Sequence, residues 1–331
     1  MVQQAAVAVV EPVAEGWLRP VERPGLMCGD RWGSTAHRIM RRTPHERLAP
    51  YVRSMILLDR SEQPGDEIYV LPDDQATLLF NIDIGRRLDP GGAFASAEGS
   101  LQLLGPPTRA YSQSFSPPLT IVVTFRPAGA SLIWPAQMNE LRDRGADLAQ
   151  LLGTEATRLA AELTVAASDE ARLARLERFL LERLETSSSR TLRATRLVHE
   201  AVGELQRRCN VAPISEALAT GLGVDGEEED SPSGLERSRR QMRRLFQSIV
   251  GLNPHTVLRI ERFHQALKLA SASKPPPWAD IAARCGYYDQ AHMITDFKDF
   301  AGAPPCQALR LLGSSLPHRR GCWFLEDPLP A

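Results

Sequence analysis

Trp278–Pro305 reads WADIAARCGYYDQAHMITDFKDFAGAPP, and the organisation of the chain follows from it. The spacing predicts a short helix over Trp278–Arg284 with Ile281 and Ala282 turned inward, broken at Cys285-Gly286. Asp289 is placed to cap a second helix, its side-chain oxygen accepting from a free amide of the first turn. That helix carries Met293, Phe297 and Phe300 on one face, at spacings of four and three. Gly302 ends it and Pro304-Pro305 follow, the expected C-terminal stop. Two short helices joined by a tight glycine turn make a helix-turn-helix unit.

Working outward, the same frame recurs upstream in SRRQMRRLFQSIVGLNP, Ser238–Pro254. Ser238 answers Asp289, Met242 answers Met293, Phe246 answers Phe297, Gly251 answers Gly302 and Pro254 answers Pro305, every pair 51 residues apart. A fixed interval of that size marks a duplicated supersecondary unit. Ala219–Gly223 answers Ala282–Gly286 at an interval roughly a dozen residues longer, which places an insertion at residues 226–237 (GEEEDSPSGLER) of the first copy. Between the units, Pro254 begins a helix expected to run to about Ala270. Such a helix is a stiff spacer able to hold two reading helices in successive turns of a major groove, about 34 Å apart.

On a wheel of 100° per residue, Met242, Leu245, Phe246 and Ile249 fall on one side of the first reading helix. Arg240, Arg243, Arg244 and Gln247 fall away from it, with Arg239 at the border. Guanidinium forks match guanine O6/N7 and phosphate oxygens. Arg240 and Arg244 are therefore assigned to base edges, and Arg239, Arg243 and Gln247 mainly to the backbone. The second helix presents Gln290, Ala291, Thr295 and Lys298, with His292 at the margin as a packing or phosphate-contact residue. Ser238 and Asp289 complete the candidate DNA-contact set. An isolated arginine-rich helix is more often a solvated face, and only the duplicated core spacing favours the reading helix.

These residues resemble the AraC/XylS-type transcription regulators. The resemblance rests on Ser238-x-Arg-Gln-Met-x-x-Leu-Phe…Gly251-x-x-Pro254 and on Ile281-Ala282…Cys285-Gly286-Tyr-Tyr-Asp-Gln-x-His…Phe297-Lys…Gly302. It spans about Ile214–Leu309. It implies a cytoplasmic, sequence-specific DNA-binding regulator, an activator, whose N-terminal domain is a small cupin-like β unit. The implied partners are duplex DNA, RNA polymerase, a second copy of the chain, and a small effector or partner protein at the N-terminal domain. Thr295 departs from the pattern, standing where the family has arginine, and the acidic insertion departs from it as well.

The rest of the chain is consistent with an α+β, multidomain protein. Residues 1–42 read as a loose extension, and residues 43–135 as a β domain. Within it, Leu48–Leu58 is either a short helix or a first strand. Strands are expected at Glu67–Leu71, Thr77–Ile82, Leu101–Leu104, Ala110–Phe115 and Leu119–Phe125, separated by Pro/Gly turns. Residues 136–189 read as a helical linker. Its stripe Leu173, Leu176, Phe179, Leu180, Leu184 suits either a core or a dimer seam. Thr186–Ser189 reads as a flexible link, residues 190–312 as the DNA-binding domain, and residues 313–331 as a tail.

Net charge is −1 and does not advertise nucleic acid. Over residues 190–312, however, basic residues exceed acidic ones by three, and by eight once Asp225 and Glu227–Asp230 are set aside. A basic domain thus lies behind an acidic loop, which is either a tolerated excursion or a segment that folds onto the arginines and competes with phosphate. The five cysteines are scattered without a CxxC pair, excluding a zinc ribbon or a disulfide framework; Cys285 and Cys306 read as small buried hydrophobes. No phosphate loop, GxSxG or dinucleotide motif occurs, and Tyr51–Phe125 holds no histidine for a cupin metal. Asp73-Asp74 read as turn residues. No enzyme, metal or cofactor is expected, and no membrane span. The competing reading is a protein-interaction module whose degenerate helix-turn-helix units no longer read DNA.

Overall fold

The computed structural model describes residues 38–59, 67–82, 100–114, 119–134, 137–209, 232–273 and 275–315. Eight strands are found among them. β1 (Arg38–Arg42), β2 (Val52–Asp59), β4 (Thr77–Ile82), β5 (Ser100–Leu104), β7 (Leu119–Phe125) and β8 (Gly145–Asp147) form a six-stranded sheet in the order β1-β2-β7-β4-β5-β8. All of its pairings are antiparallel. β3 (Glu67–Val70) and β6 (Tyr111–Ser114) form a separate antiparallel ribbon.

The centre of the sheet is β7, whose Ile121, Val123 and Phe125 are fully buried while Val122 and Thr124 between them are only half-buried. That alternation is what a strand covered on one face requires. The cover is α1 (Leu148–Leu152), α2 (Thr154–Thr164) and α3 (Asp169–Thr186), whose Leu148, Leu159, Leu163, Leu173, Leu176, Phe179 and Leu180 share one core with the strands. The α3 stripe is therefore core and not a seam between copies.

The five predicted strands are present, without Leu71 in the first and Ala110 in the fourth, Phe115 lying outside the described residues, and Leu48–Leu58 resolves as a turn leading into β2. Three expectations are corrected. The extension 1–42 is not loose throughout, because Arg38–Arg42 is an edge strand on β2. It is fastened from the far side of the domain, where Glu177 of α3 accepts from the Arg42 guanidinium at 2.6 and 2.9 Å and from the His45 amide at 2.8 Å. The stretch 136–189 is not wholly helical: Gly145–Asp147 closes the opposite edge of the sheet. Ser187-Ser188 is a corner and not a flexible link. Ser187 ends α3, and the Ser188 hydroxyl accepts from the Thr191 amide as α4 (Ser189–Cys209) begins.

The helical half comprises α4, α5 (Pro232–Val250), α6 (Pro254–Ala272), α7 (Trp278–Arg284), α8 (Gln290–Ala301) and α9 (Pro305–Ser315). A second core joins them through Val198, Phe246, Val257, Phe263, Ile281, Met293, Phe297 and Phe300. Asn253 caps α6, its side chain accepting from the Thr256 amide at 2.8 Å, and Pro254 occupies the first turn where its missing N–H costs nothing. At 19 residues α6 is about 28 Å long. The first helix of the first unit, and the acidic run Glu227–Asp230, lie outside the described residues. Of the insertion drawn at 226–237, Pro232–Arg237 forms the opening turns of α5, and the earlier residues lie outside the described ones. Ser238 is accordingly inside a helix and not at its cap.

Candidate nucleic-acid interface

The duplicated frame recurs in the structure at its phenylalanine, glycine and proline positions. Phe246 and Phe297 are both fully buried, and Pro254 and Pro305 both open the following helix. Gly251 and Gly302 both turn through the left-handed region, at φ 89° and 69°, where a side chain is disfavoured. In the second unit Ile281 and Ala282 are buried, the Asp289 carboxylate accepts from the His292 amide at 2.7 Å, and Gly302 donates to the Lys298 carbonyl at 3.1 Å. Each is a feature the sequence specifies locally.

On α5, Arg240, Arg243, Arg244 and Gln247 are exposed while Phe246 and Ile249 are buried and Leu245 is half-buried. The side chains of Ser238, Arg239 and Met242 lie outside the described set. The exposed residues do not all face the same surroundings. Arg244 and Gln247, with Gln241, Leu245 and Ser248, form one wall of an open cleft of about 440 Å³, whose other wall is Gln137 and Asn139 beside the 3-10 turn Met138–Glu140. Arg240 and Arg243 do not line it. Of the two arginines assigned to base edges, then, Arg244 lines the cleft and Arg240 does not.

On α8, Gln290, His292, Thr295 and Lys298 are exposed, as is Asp289 at its cap. The Thr295 hydroxyl donates back to the Ala291 carbonyl at 3.0 Å, so it is already engaged on its own helix. The His292 ring meets the buried Tyr287 ring edge-on, with centroids 5.4 Å apart. Among the described residues no group of His, Cys, Asp or Glu is disposed to hold a metal ion. Cys285 is buried, which pushes its thiol up to about 11, whereas Cys306 is exposed, contrary to the expectation for it.

A pair that sequence reasoning missed sets the seat of α8. Arg259 of α6 donates to Asp296 at 2.6 and 3.0 Å and to Asp299 at 2.7 Å, with its guanidinium 4.9 Å from the Phe300 ring centre. Asp296 is 1% exposed. The available signal was its place three residues after Met293, on the apolar face, where a carboxylate needs a cationic partner.

The sheet domain touches both units. Its Ala110 amide donates to the Phe300 carbonyl at 2.7 Å, and His264 Nε2 of α6 lies 2.7 Å from the Pro72 carbonyl. A Cβ on Gly251 would stand 2.8 Å from the Met138 carbonyl oxygen. The Ser131 and Thr195 hydroxyls meet at 2.6 Å in the interior, and Leu71 and Ala128 belong to the helical core. Asp73-Asp74 are on a connecting segment, as a turn would be, but are buried at this seam. Burial pushes Asp73 up to about 7 and Asp74 well above the carboxylate range, Asp74 also by the neighbouring Asp73.

Comparison with known proteins agrees with this division. A model described as a helix-turn-helix domain matches residues 234–310, and one described as a domain of unknown function (DUF6597) matches residues 40–147. No curated protein matches the chain. Among solved structures, ToxT from Vibrio cholerae O395 is 13% identical, with 78% of this chain and 96% of that one covered at a TM-score of 0.32. The same protein bound to (E)-4-(8-methylnaphthalen-1-yl)but-3-enoic acid is 11% identical, with 78% and 97% covered at 0.33. These superpositions are loose, and the nucleic-acid reading stands on the helix-turn-helix match and the duplicated geometry. The unit formed by residues 234–310 is a helix-turn-helix domain of the AraC type.

Proposed function

We propose that the chain is a sequence-specific DNA-binding regulator of transcription, acting in the cytoplasm without catalysis and responsive to an effector through its N-terminal domain. The observation that carries this is the pair of reading helices. Each is locked by its own glycine stop and buried aromatic, each presents an exposed polar face, and both are attached to one stiff helix. Two such faces suit consecutive major-groove segments of a duplex.

Effector response is supported by the seam. The sheet domain holds Gly251 at the end of the first reading helix and Phe300 in the second, and it walls the cleft beside Arg244 and Gln247. A small molecule or partner protein that shifts the sheet domain therefore changes how both helices are presented. RNA polymerase and a second copy of the chain are the further partners of this reading, which includes activation.

The engaged Thr295 hydroxyl and the place of Arg244 in the cleft wall favour a second reading, in which the helices dock a protein and no longer read bases. Equilibrium binding to a selected duplex and to scrambled duplexes separates the two. Arg240→Ala should weaken the selected complex by about 1–3 kcal/mol and relax preference at one base position. Binding that is feeble and indifferent to sequence in the unsubstituted chain would sink the DNA reading and support the second.

A further inference from the structure

We propose that Tyr288 is a DNA-backbone contact of the second unit, its phenol hydroxyl donating to a phosphate oxygen beside the groove that α8 enters. The inference rests on the DNA-binding reading above and assigns a contact that the reading helices themselves do not supply.

Tyr288 is 93% exposed, the most exposed of the large hydrophobic side chains among the described residues. Its backbone is nonetheless pinned on both sides. On one side Tyr287 is 5% exposed, with the Arg262 guanidinium 5.5 Å from its ring centre and His292 against its edge. On the other side Asp289 is held by the His292 amide at 2.7 Å. A tyrosine needs only two torsions to be fixed when it binds, so a ring on a rigid turn is ordered at low entropic cost. Among the described residues no hydrogen bond or ring contact engages this side chain.

Its position supplies the partner. Tyr288 directly precedes the cap of α8, and the N-terminal end of a reading helix is the end that approaches the duplex. Tyrosine hydroxyls are among the donors that fix a protein's register on phosphate oxygens. Of the amides at this helix start, that of His292 is already taken by the Asp289 carboxylate, whose negative charge opposes a phosphate at the cap itself. A phosphate here has to be met by a neighbouring donor, and Tyr288 is that neighbour.

The second unit also lacks the anchors of the first. α5 exposes Arg240, Arg243 and Arg244. Of the α8 contact candidates only Lys298 is a fixed cation, and the Thr295 hydroxyl is engaged with Ala291. A neutral donor at the turn would hold α8 in register without adding charge.

The test measures binding of the full chain to its selected duplex by fluorescence anisotropy across a salt series, for the unsubstituted chain, Tyr288→Phe, Tyr288→Ala and Lys298→Ala. Tyr288→Phe, which removes only the hydroxyl, should weaken binding about 3–10-fold, by the same factor on selected and scrambled duplexes. Because a phenol displaces no counterion, the slope of log affinity against log salt should stay unchanged. Lys298→Ala should flatten it by about one. The melting temperature should not move for either Tyr288 variant. The proposal is overturned if Tyr288→Phe binds as the unsubstituted chain does, or if its loss is confined to one base pair. Should the unsubstituted chain bind no duplex at all, the DNA reading itself falls, a result distinct from an unchanged Tyr288→Phe complex.

Discussion

Replacing Asp296 by alanine should cost the helical domain about 1.5–3 kcal/mol. The carboxylate is 1% exposed and receives two hydrogen bonds from Arg259, at 2.6 and 3.0 Å. Removing one partner of a fully buried pair costs about 3–5 kcal/mol, because the other charge is stranded. Two features reduce that figure here. The Arg259 side chain is 26% exposed and keeps Asp299 at 2.7 Å, so it is not left alone. Asp296 Oδ2 is buried and has no hydrogen-bond partner among the described residues, and its removal relieves that desolvation. What remains is the net worth of hydrogen bonds to a charged group, about 1.5–3 kcal/mol. The matched control is Asp299→Ala, half-exposed on the same arginine, which should stay within about 0.5 kcal/mol of the unsubstituted chain. Urea unfolding of both variants decides the matter. Equal losses, or a neutral Asp296→Ala, would refute the view that this pair seats α8 on α6.

Two further outcomes follow from the seam and the turns. Gly302→Ala should cost only the left-handed backbone penalty, about 1–2 kcal/mol, since a Cβ there meets nothing within 4 Å. Gly251→Ala should cost visibly more, because its Cβ also meets the Met138 oxygen at 2.8 Å; equal shifts in thermal unfolding would contradict this. Asp73, raised to about 7 by burial, binds a proton in the folded chain at pH values where the unfolded carboxyl, near 4, has lost it. Its contribution is therefore complete below about pH 4 and is lost as pH rises toward about 7. His264, lowered to about 4 by burial, acts oppositely, losing stability as pH falls from about 6.5. Asp73→Asn isolates the first effect: it should gain about 1–3 kcal/mol on the unsubstituted chain between about pH 4.5 and 7.5. A pH-independent difference in urea unfolding would remove Asp73 from the account.

The second unit was legible almost residue by residue, and the reason is that its signals are local. An acid at the cap, aromatics at spacings of four and three, and a glycine stop act within one or two turns of chain. The first unit was legible mainly as the repeat of the second. Where the repeat is interrupted the sequence did not show that Pro232–Arg237 joins α5. What the sequence could not show depends on distant partners. β1 looks like an unstructured arginine-rich run until Glu177, 135 residues away, holds Arg42. Asp73-Asp74 look like a surface turn until the helical half packs over the sheet domain. Asp296 was within reach, because a carboxylate on an apolar face demands a cation, but only the fold identifies Arg259. The open cleft at Arg244 likewise arises from Gln137 and Asn139, about a hundred residues upstream, which no helical wheel contains.

The central claim is that α5, which leads into α6, and α8, which is seated on it through Arg259 and Phe263, read one duplex together. The most direct measurement is selection of bound duplexes from a random pool by the full chain, repeated with Arg240→Ala. The account predicts two short enriched motifs with centres about one helical turn, 10–10.5 base pairs, apart. Arg240→Ala should degrade the motif read by α5 and spare the other. Enrichment of a single motif, or of none, would contradict it.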